Sequence, residues 1–286
     1  MKRLQNFAGL LLPLLLILAG TSCRQDAHSE AVPASTVPAA AVPDQTAIEK
    51  AVLRLVTYDG CRDLTAMMHL SGTDATGKRQ EIDLRIERQF DPQVQRTFLS
   101  VLAPAEEIDK ALLAIQTAGQ STEAFSYLPG LKKLARLSSS RTVGFRGARV
   151  TVQELLGLEL AQYDFEVVGL TEEKGRGLVK ILFTEKPDLG MAFPRIQATF
   201  DRETLIPVAF ALEGTGGEVQ KRIEVEKTEE IESKLTLTRL VIEDLTQQLR
   251  LALELSKVDY DRGLKPDSFT EERLKRSVSA AAAKGR

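Results

Sequence analysis

"LRLALELS", Leu249 to Ser256, alternates without a break: Leu249, Leu251, Leu253 and Leu255 against Arg250, Ala252, Glu254 and Ser256. A period of two sends successive side chains to opposite faces of a strand, so this stretch is a half-buried β-strand. The same period recurs along the chain. Leu64, Ala66, Met68 and Leu70 alternate with Thr65, Met67 and His69, and Ile82, Leu84 and Ile86 with Asp83, Arg85 and Glu87. Tyr163, Phe165 and Val167 alternate with Asp164 and Glu166. Val219, Ile223 and Val225 face away from Gln220, Arg222, Glu224 and Glu226. Turn signals separate the runs: "TDATGK", "TEEKGRG", "DRET" and "EGTGGE". The pattern predicts an antiparallel meander of about ten or eleven strands, one face oily and the other charged.

Helical periodicity is sparse. "TAIE", Thr46 to Glu49, reads as a capping box, with Thr46 as cap and Glu49 reaching back. Ile48, Ala51, Val52, Leu55 and Val56 then share one helical face, and Gly60 ends the run. "VTVQELLGLEL", Val150 to Leu160, is the clearest later helix. The terminal "FTEERLKRSVSAAAAKGR" starts as a short helix and frays, so residues 277–286 are expected to be a disordered tail.

The amino terminus is built differently. Lys2 and Arg3 are the only charges before Arg24, and between them lies "FAGLLLPLLLILAG". A basic start, a short apolar stretch interrupted by Pro13 and small residues at its end describe a signal peptide over residues 1–22. Ala19-Gly20-Thr21-Ser22 leads straight into Cys23, which resembles a bacterial lipobox, so Cys23 is the expected lipidation site. A double or triple acyl anchor is firm, because each buried methylene contributes about 0.8 kcal/mol. Arg24 rather than Asp after the cysteine favours the outer membrane by likeness to enterobacterial sorting rules. Residues 23–45 place Pro33, Pro38 and Pro43 among Ala, Val and Ser, a linker of some polyproline stiffness. Largely extended, it would reach roughly 60–70 Å. The folded domain is expected over residues 46–276, in the cell envelope, tethered and facing the periplasm.

Composition removes several classes of function. A net charge of -2 over 286 residues argues against nucleic acid as a partner. Cys23 and Cys61 are the only cysteines, and acylation of Cys23 leaves Cys61 unpaired, a small buried apolar residue. There is no G-x-S-x-G, H-E-x-x-H, P-loop or C-x-x-C motif. His69 is the only histidine after the linker and lies on the polar side of its strand, so a histidine metal cluster or a Ser-His-Asp triad is hard to build. The chain is read as a non-enzyme with no catalytic or metal-binding residues and no cofactor.

A sheet this wide must hide its oily face, as a sandwich, as a barrel or curled around a few helices. Its aliphatic interior would hold acyl chains by area alone, at about 25 cal/mol per Å². Periodicity leaves open whether that interior is a cavity or a core filled by its own side chains. The residues that would line a cavity are Met68, Leu70, Leu84, Ile86, Phe165, Val167, Ile181, Phe183, Val208, Phe210, Leu251 and Leu253. The densest basic segment, "LPGLKKLARLSSSR", offers Lys132, Lys133, Arg136 and Arg141 as a polar rim for anionic lipid head groups or an acidic partner.

This segment also carries a family likeness. "FSYLPGLKKLARLSSS" followed by "GFRG" resembles the signature of the outer membrane lipoprotein-sorting proteins of the LolA/LolB-like superfamily, matching at Tyr127, Leu128, Pro129, Lys132, Lys133, Ser138, Ser139, Ser140, Phe145 and Gly147. "RIQATFDRETLIPVAFAL", with Pro207, is similar to that family's strand-turn-strand, and "LKPDSFTEERLKR" to its usual ending. One stretch departs. "ARVTVQELLG" stands where the family tends to be acidic and aromatic, with Glu154 alone in place of its paired acids. The resemblance implies an α+β fold: an unclosed antiparallel half-barrel, its concave face covered by an N-terminal helix and short helices around a cavity for lipid acyl chains. It implies a membrane-anchored lipoprotein that binds lipid or lipoprotein acyl chains and relays or presents them, with an envelope transporter or pump as a candidate partner. The alternative reading is an accessory lipoprotein whose barrel is filled and whose surface docks an envelope complex.

Overall fold

The computed structural model describes residues 43–56, 59–73, 77–91, 93–128, 131–145 and 148–284. The expected signal peptide, Cys23, most of the linker, and Pro129, Gly130 and Gly147 of the family signature lie outside these residues.

The chain first makes helix α1 (Gln45–Val56), then six strands: β1 (Asp63–Thr73), β2 (Arg79–Gln89), β3 (Val94–Ala103), β4 (Ala111–Thr117), β5 (Glu123–Leu128) and β6 (Lys133–Leu137). A hairpin of β7 (Thr142–Phe145) and β8 (Ala148–Thr151) and a single helical turn, α2 (Val152–Leu155), follow. Seven more strands complete the sheet: β9 (Tyr163–Glu173), β10 (Arg176–Glu185), β11 (Arg195–Asp201), β12 (Pro207–Glu213), β13 (Val219–Ile231), β14 (Lys234–Asp244) and β15 (Leu249–Tyr260). Helix α3 (Glu271–Lys284) closes the chain.

Thirteen of these strands form one unclosed antiparallel sheet, in the order β6-β5-β4-β3-β2-β1-β15-β14-β13-β12-β11-β10-β9. It is thus two meanders joined where the first strand meets the last. At this seam Met68 faces Leu255 and Leu70 faces Leu253. Gly72 sits there against Leu251, and a Cβ on it would run into the Arg250 carbonyl oxygen and the Leu251 side chain. The half-barrel expectation holds, with thirteen strands in place of ten or eleven.

The extra strands lie where alternation fails. In β3 and β4, adjacent residues are buried on opposite faces: Leu99, Val101, Leu112 and Ala114 in the main core, Phe98 and Leu113 under α3. A strand covered on both sides reads as a continuous apolar run, not as a period of two. Helix α3 supplies Leu274 and Val278 to that outer layer, and Arg273 lies over the Phe98 ring at 4.3 Å. It continues to Lys284, past the expected boundary at 276, because its last turns are alanine-rich and alanine has the best helix propensity.

Two other local readings change. Asp44, not Thr46, opens α1: its carbonyl accepts from the Ala47 and Ile48 amides, and Thr46 lies inside the helix. The helix expected over Val150 to Leu160 is only the turn Val152–Leu155, because Gly157, Leu158 and Glu159 take successive left-handed conformations (φ 84°, 68° and 52°). The face of α1 reads as expected, with Ile48, Ala51 and Val52 buried in the main core.

Candidate functional site

Because the two meanders meet at their first and last strands, the sheet's edges, β6 and β9, are joined directly by residues 138–162. That strap contains the β7–β8 hairpin, α2 and a one-turn 3-10 helix, Leu160–Gln162. Its apolar residues Val150, Val152, Leu155 and Leu156 pack into the same core as α1 and the sheet's inner face.

Three buried polar groups fasten the strap. Gln153 is fully buried: its amide nitrogen donates to the Tyr163 hydroxyl (2.6 Å) and the Leu158 carbonyl (3.1 Å), and its oxygen accepts from the Ala192 amide (2.8 Å). Glu154 closes a capping box with Thr151 and accepts from Lys221 Nζ at 2.8 Å; Lys221 also reaches Asp244 at 2.9 Å. Burial opposes the charge on Asp244, but Lys221 and Thr246 outweigh it and hold the carboxyl below its usual range. Glu159 accepts from Gln116 Nε2 (2.8 Å), Ser139 Oγ (3.0 Å) and the Thr122 hydroxyl. Burial pushes its carboxyl up, against the pull of those donors and of Arg88.

Around the strap the inner face leaves open space. One chamber of about 190 Å³ lies among α1, the strap and the middle of the sheet, and its lining includes Leu55, Met68, Ile86, Leu155, Phe210, Ile223, Leu240 and Leu253. A second, of about 400 Å³, lies on the β2–β6 side and is lined by Leu84, Leu99, Val101, Leu112, Leu137, Val143 and Leu155. Leu155 lines both. A third cleft, of about 590 Å³, runs past Leu53, Cys61, Phe90 and Leu160 and is more polar, with Gln116, Glu159 and Gln162 in its wall.

The structure separates the twelve residues expected to line a cavity. Met68, Ile86, Phe210 and Leu253 line the 190 Å³ chamber, and Leu84 the 400 Å³ one. Leu70, Ile181, Phe183 and Leu251 are buried in the core and line none of these spaces. Phe165 and Val167 pack at the core's margin, Phe165 against Phe183 with ring centroids 5.9 Å apart. Val208 is half-buried and belongs to neither the main core nor the chambers. Of the basic residues, Arg141 lines the 400 Å³ chamber together with Lys110. Lys132, Lys133 and Arg136 are exposed on or just before the edge strand β6, where Arg136 pairs with Glu123. Charged edges of this kind discourage pairing with other chains.

Cys61 is a free, buried thiol whose pKa burial pushes up to about 12, which disfavours the thiolate. His69, with a half-exposed side chain, bonds Asp83 at 2.7 Å on the outer face. Sequence reasoning passed over Gln153, Lys221 and Glu159. Two signals were present: "TVQE", Thr151 to Glu154, is a capping box, and Lys221 holds the inward parity between Val219 and Ile223, where a lysine must find buried partners.

A family model described as "-like: Uncharacterized protein" matches residues 93–276, more than half of the chain. No curated protein matches the sequence. Among solved structures, the fold is similar to that of a DUF1329 family protein from Desulfovibrio piger (TM-score 0.70, 18% identity, covering 80% of this chain and 98% of that one). An outer membrane lipoprotein-sorting protein domain from Vibrio parahaemolyticus is equally similar (TM-score 0.70, 17% identity, 80% and 98% covered). A LolA superfamily protein from Nitrosomonas europaea matches at a TM-score of 0.68, with 13% identity and 79% and 99% covered. At these identities the likeness establishes the fold: an unclosed LolA-like sheet with few helices.

Proposed function

The chain belongs to this family of uncharacterized proteins, and from that premise and its LolA-like fold we propose that it binds lipid or lipoprotein acyl chains on its concave face. In this reading it is an envelope lipoprotein, anchored through Cys23 and facing the periplasm from the outer membrane, that relays or presents its cargo to a transport complex. It carries out no covalent chemistry. The observation behind the reading is the pair of aliphatic chambers meeting at Leu155, which the molecule's own side chains leave open. Met68, Leu84, Ile86, Phe210 and Leu253 are the cavity contacts proposed, and Arg141 with Lys110 the polar contacts. Acyl methylenes there would each contribute about 0.8 kcal/mol without needing a specific polar grip.

A second reading has its own support. On the β10–β11 side the trough is filled by Phe183, Phe193 and Phe200, all fully buried. If filling extends to the other side in solution, the protein is an accessory that docks an envelope complex. Native mass spectrometry of the full chain purified from membranes separates the two. Phospholipid-sized adducts are expected on the wild type and are lost in Leu253→Trp, which fills the central chamber without adding charge. A wild type free of adducts, or a variant that keeps them while folded, overturns the carrier reading.

A further inference from the structure

The wall of the 190 Å³ chamber is split. Strands β14 and β15 pair from Asp244 opposite Leu249 to Arg239 opposite Glu254, and no further. Beyond that point β14 runs on beside β13, and β15 beside β1. Both strands are irregular at this level. Between Arg239 opposite Lys227 and Leu237 opposite Thr228, Thr238 has no counterpart on β13. Between Ser256 opposite Met67 and Asp259 opposite Thr65, β15 has Lys257 and Val258 where β1 has Ala66 alone, and Lys257 is left-handed (φ 48°). A bulge bends its strand and sharpens the local twist, so two at one level swing the strands apart. They also reset which side chains face the chamber. Its lining passes from Leu240 to Leu237 on β14 and from Leu255 to Val258 on β15, an odd step in each strand. The chamber thus reaches the split, and the lips of the split are apolar. Leu237 and Leu255 are half-buried there.

At the far end of the split, side chains stand in for the missing ladder. The hydroxyls of Thr236 and Tyr260 meet at 2.8 Å, Lys234 reaches Asp261 at 3.3 Å, and Arg262 reaches Glu232 at 2.9 Å. The Leu235 amide donates to Asp59, just after α1, and not to β15. Each such bond is weak singly, whereas parting two paired strands breaks a continuous backbone ladder. We infer that the split is a side door: an acyl tail enters the central chamber between β14 and β15, its head group left in water, when the Thr236–Tyr260 bond opens. The inference rests on the acyl-chain reading above and adds the route.

The test is stopped-flow fluorescence of the full chain with dansyl-undecanoic acid, reading uptake on mixing and release into excess oleate. Tyr260→Phe removes the bond and leaves Thr236 its contact with the Lys234 carbonyl (3.2 Å). Uptake and release should both quicken about fivefold, with affinity nearly unchanged, because a latch shut in both end states sets only the barrier. Leu237→Cys with Leu255→Cys, joined by a short bismaleimide, should slow both by more than about tenfold relative to the same variant unjoined. If the wild type takes up the probe and uptake is unchanged in either variant, the tail enters elsewhere: the side door is overturned and the carrier reading stands. A Tyr260→Phe variant that shifts affinity without changing the uptake rate overturns it too, because Tyr260 would then be a cavity contact only. A wild type that takes up no probe removes the carrier reading, and the side door with it.

Discussion

Glu159 is a buried carboxyl held by three neutral donors, Gln116, Thr122 and Ser139, at a left-handed backbone position (φ 52°). Burial raises its proton affinity, so the folded chain retains a proton that the unfolded chain releases. Its linkage therefore runs opposite to that of an ordinary paired acid: stability falls as pH rises from the usual glutamate range towards the folded value. Urea denaturation between about pH 4 and pH 8 should show this slope in the wild type and a flatter one in Glu159→Gln, which keeps an acceptor and cannot ionise. Glu159→Ala strands the three donors and should cost about 3 kcal/mol. An unchanged slope in Glu159→Gln would mean that the group is not buried as described. Nothing in "LGLEL" announces this residue. A lone glutamate among leucines matches an amphipathic helix equally well, and only the left-handed run from Gly157 to Glu159 turns it inward.

At the scale of elements, the strap is one helical turn, held by its anchors and not by helix propensity. Lys221 lies between Glu154 and Asp244, and all three side chains are almost wholly buried. Lys221→Met removes one cation and leaves two buried carboxylates facing each other, a loss of about 3–5 kcal/mol in chemical denaturation. Replacing all three by apolar residues should recover much of it, because the desolvation cost disappears along with the pairing. Strands with one wet face, such as β1, β2 and β15, were legible from alternation. The double-sided strands β3 and β4 were not, since burial on both faces erases the period. The chambers were legible only as a class of surface. Which aliphatic side chains fill the space and which leave it depends on where the strap lies, and strands far apart in sequence decide that.

Across the whole molecule the seam between β1 and β15 joins the two meanders into one curved wall. Gly72 leaves no room there for a Cβ, and its need is steric, since its φ is not in the left-handed region. Gly72→Val should cost about 1–3 kcal/mol in thermal or urea unfolding; an unaffected variant would mean that the seam is looser than described. The six strands β1 to β6 and the seven from β9 to β15 can each zip locally through hairpins. Only pairing between chain segments far apart in sequence brings them together, and such closures are slow. During synthesis the chain therefore has no complete trough until Tyr260 has emerged. A half-made molecule holds two separate ribbons with no pouch between them, so the enclosed space exists only once the protein is whole.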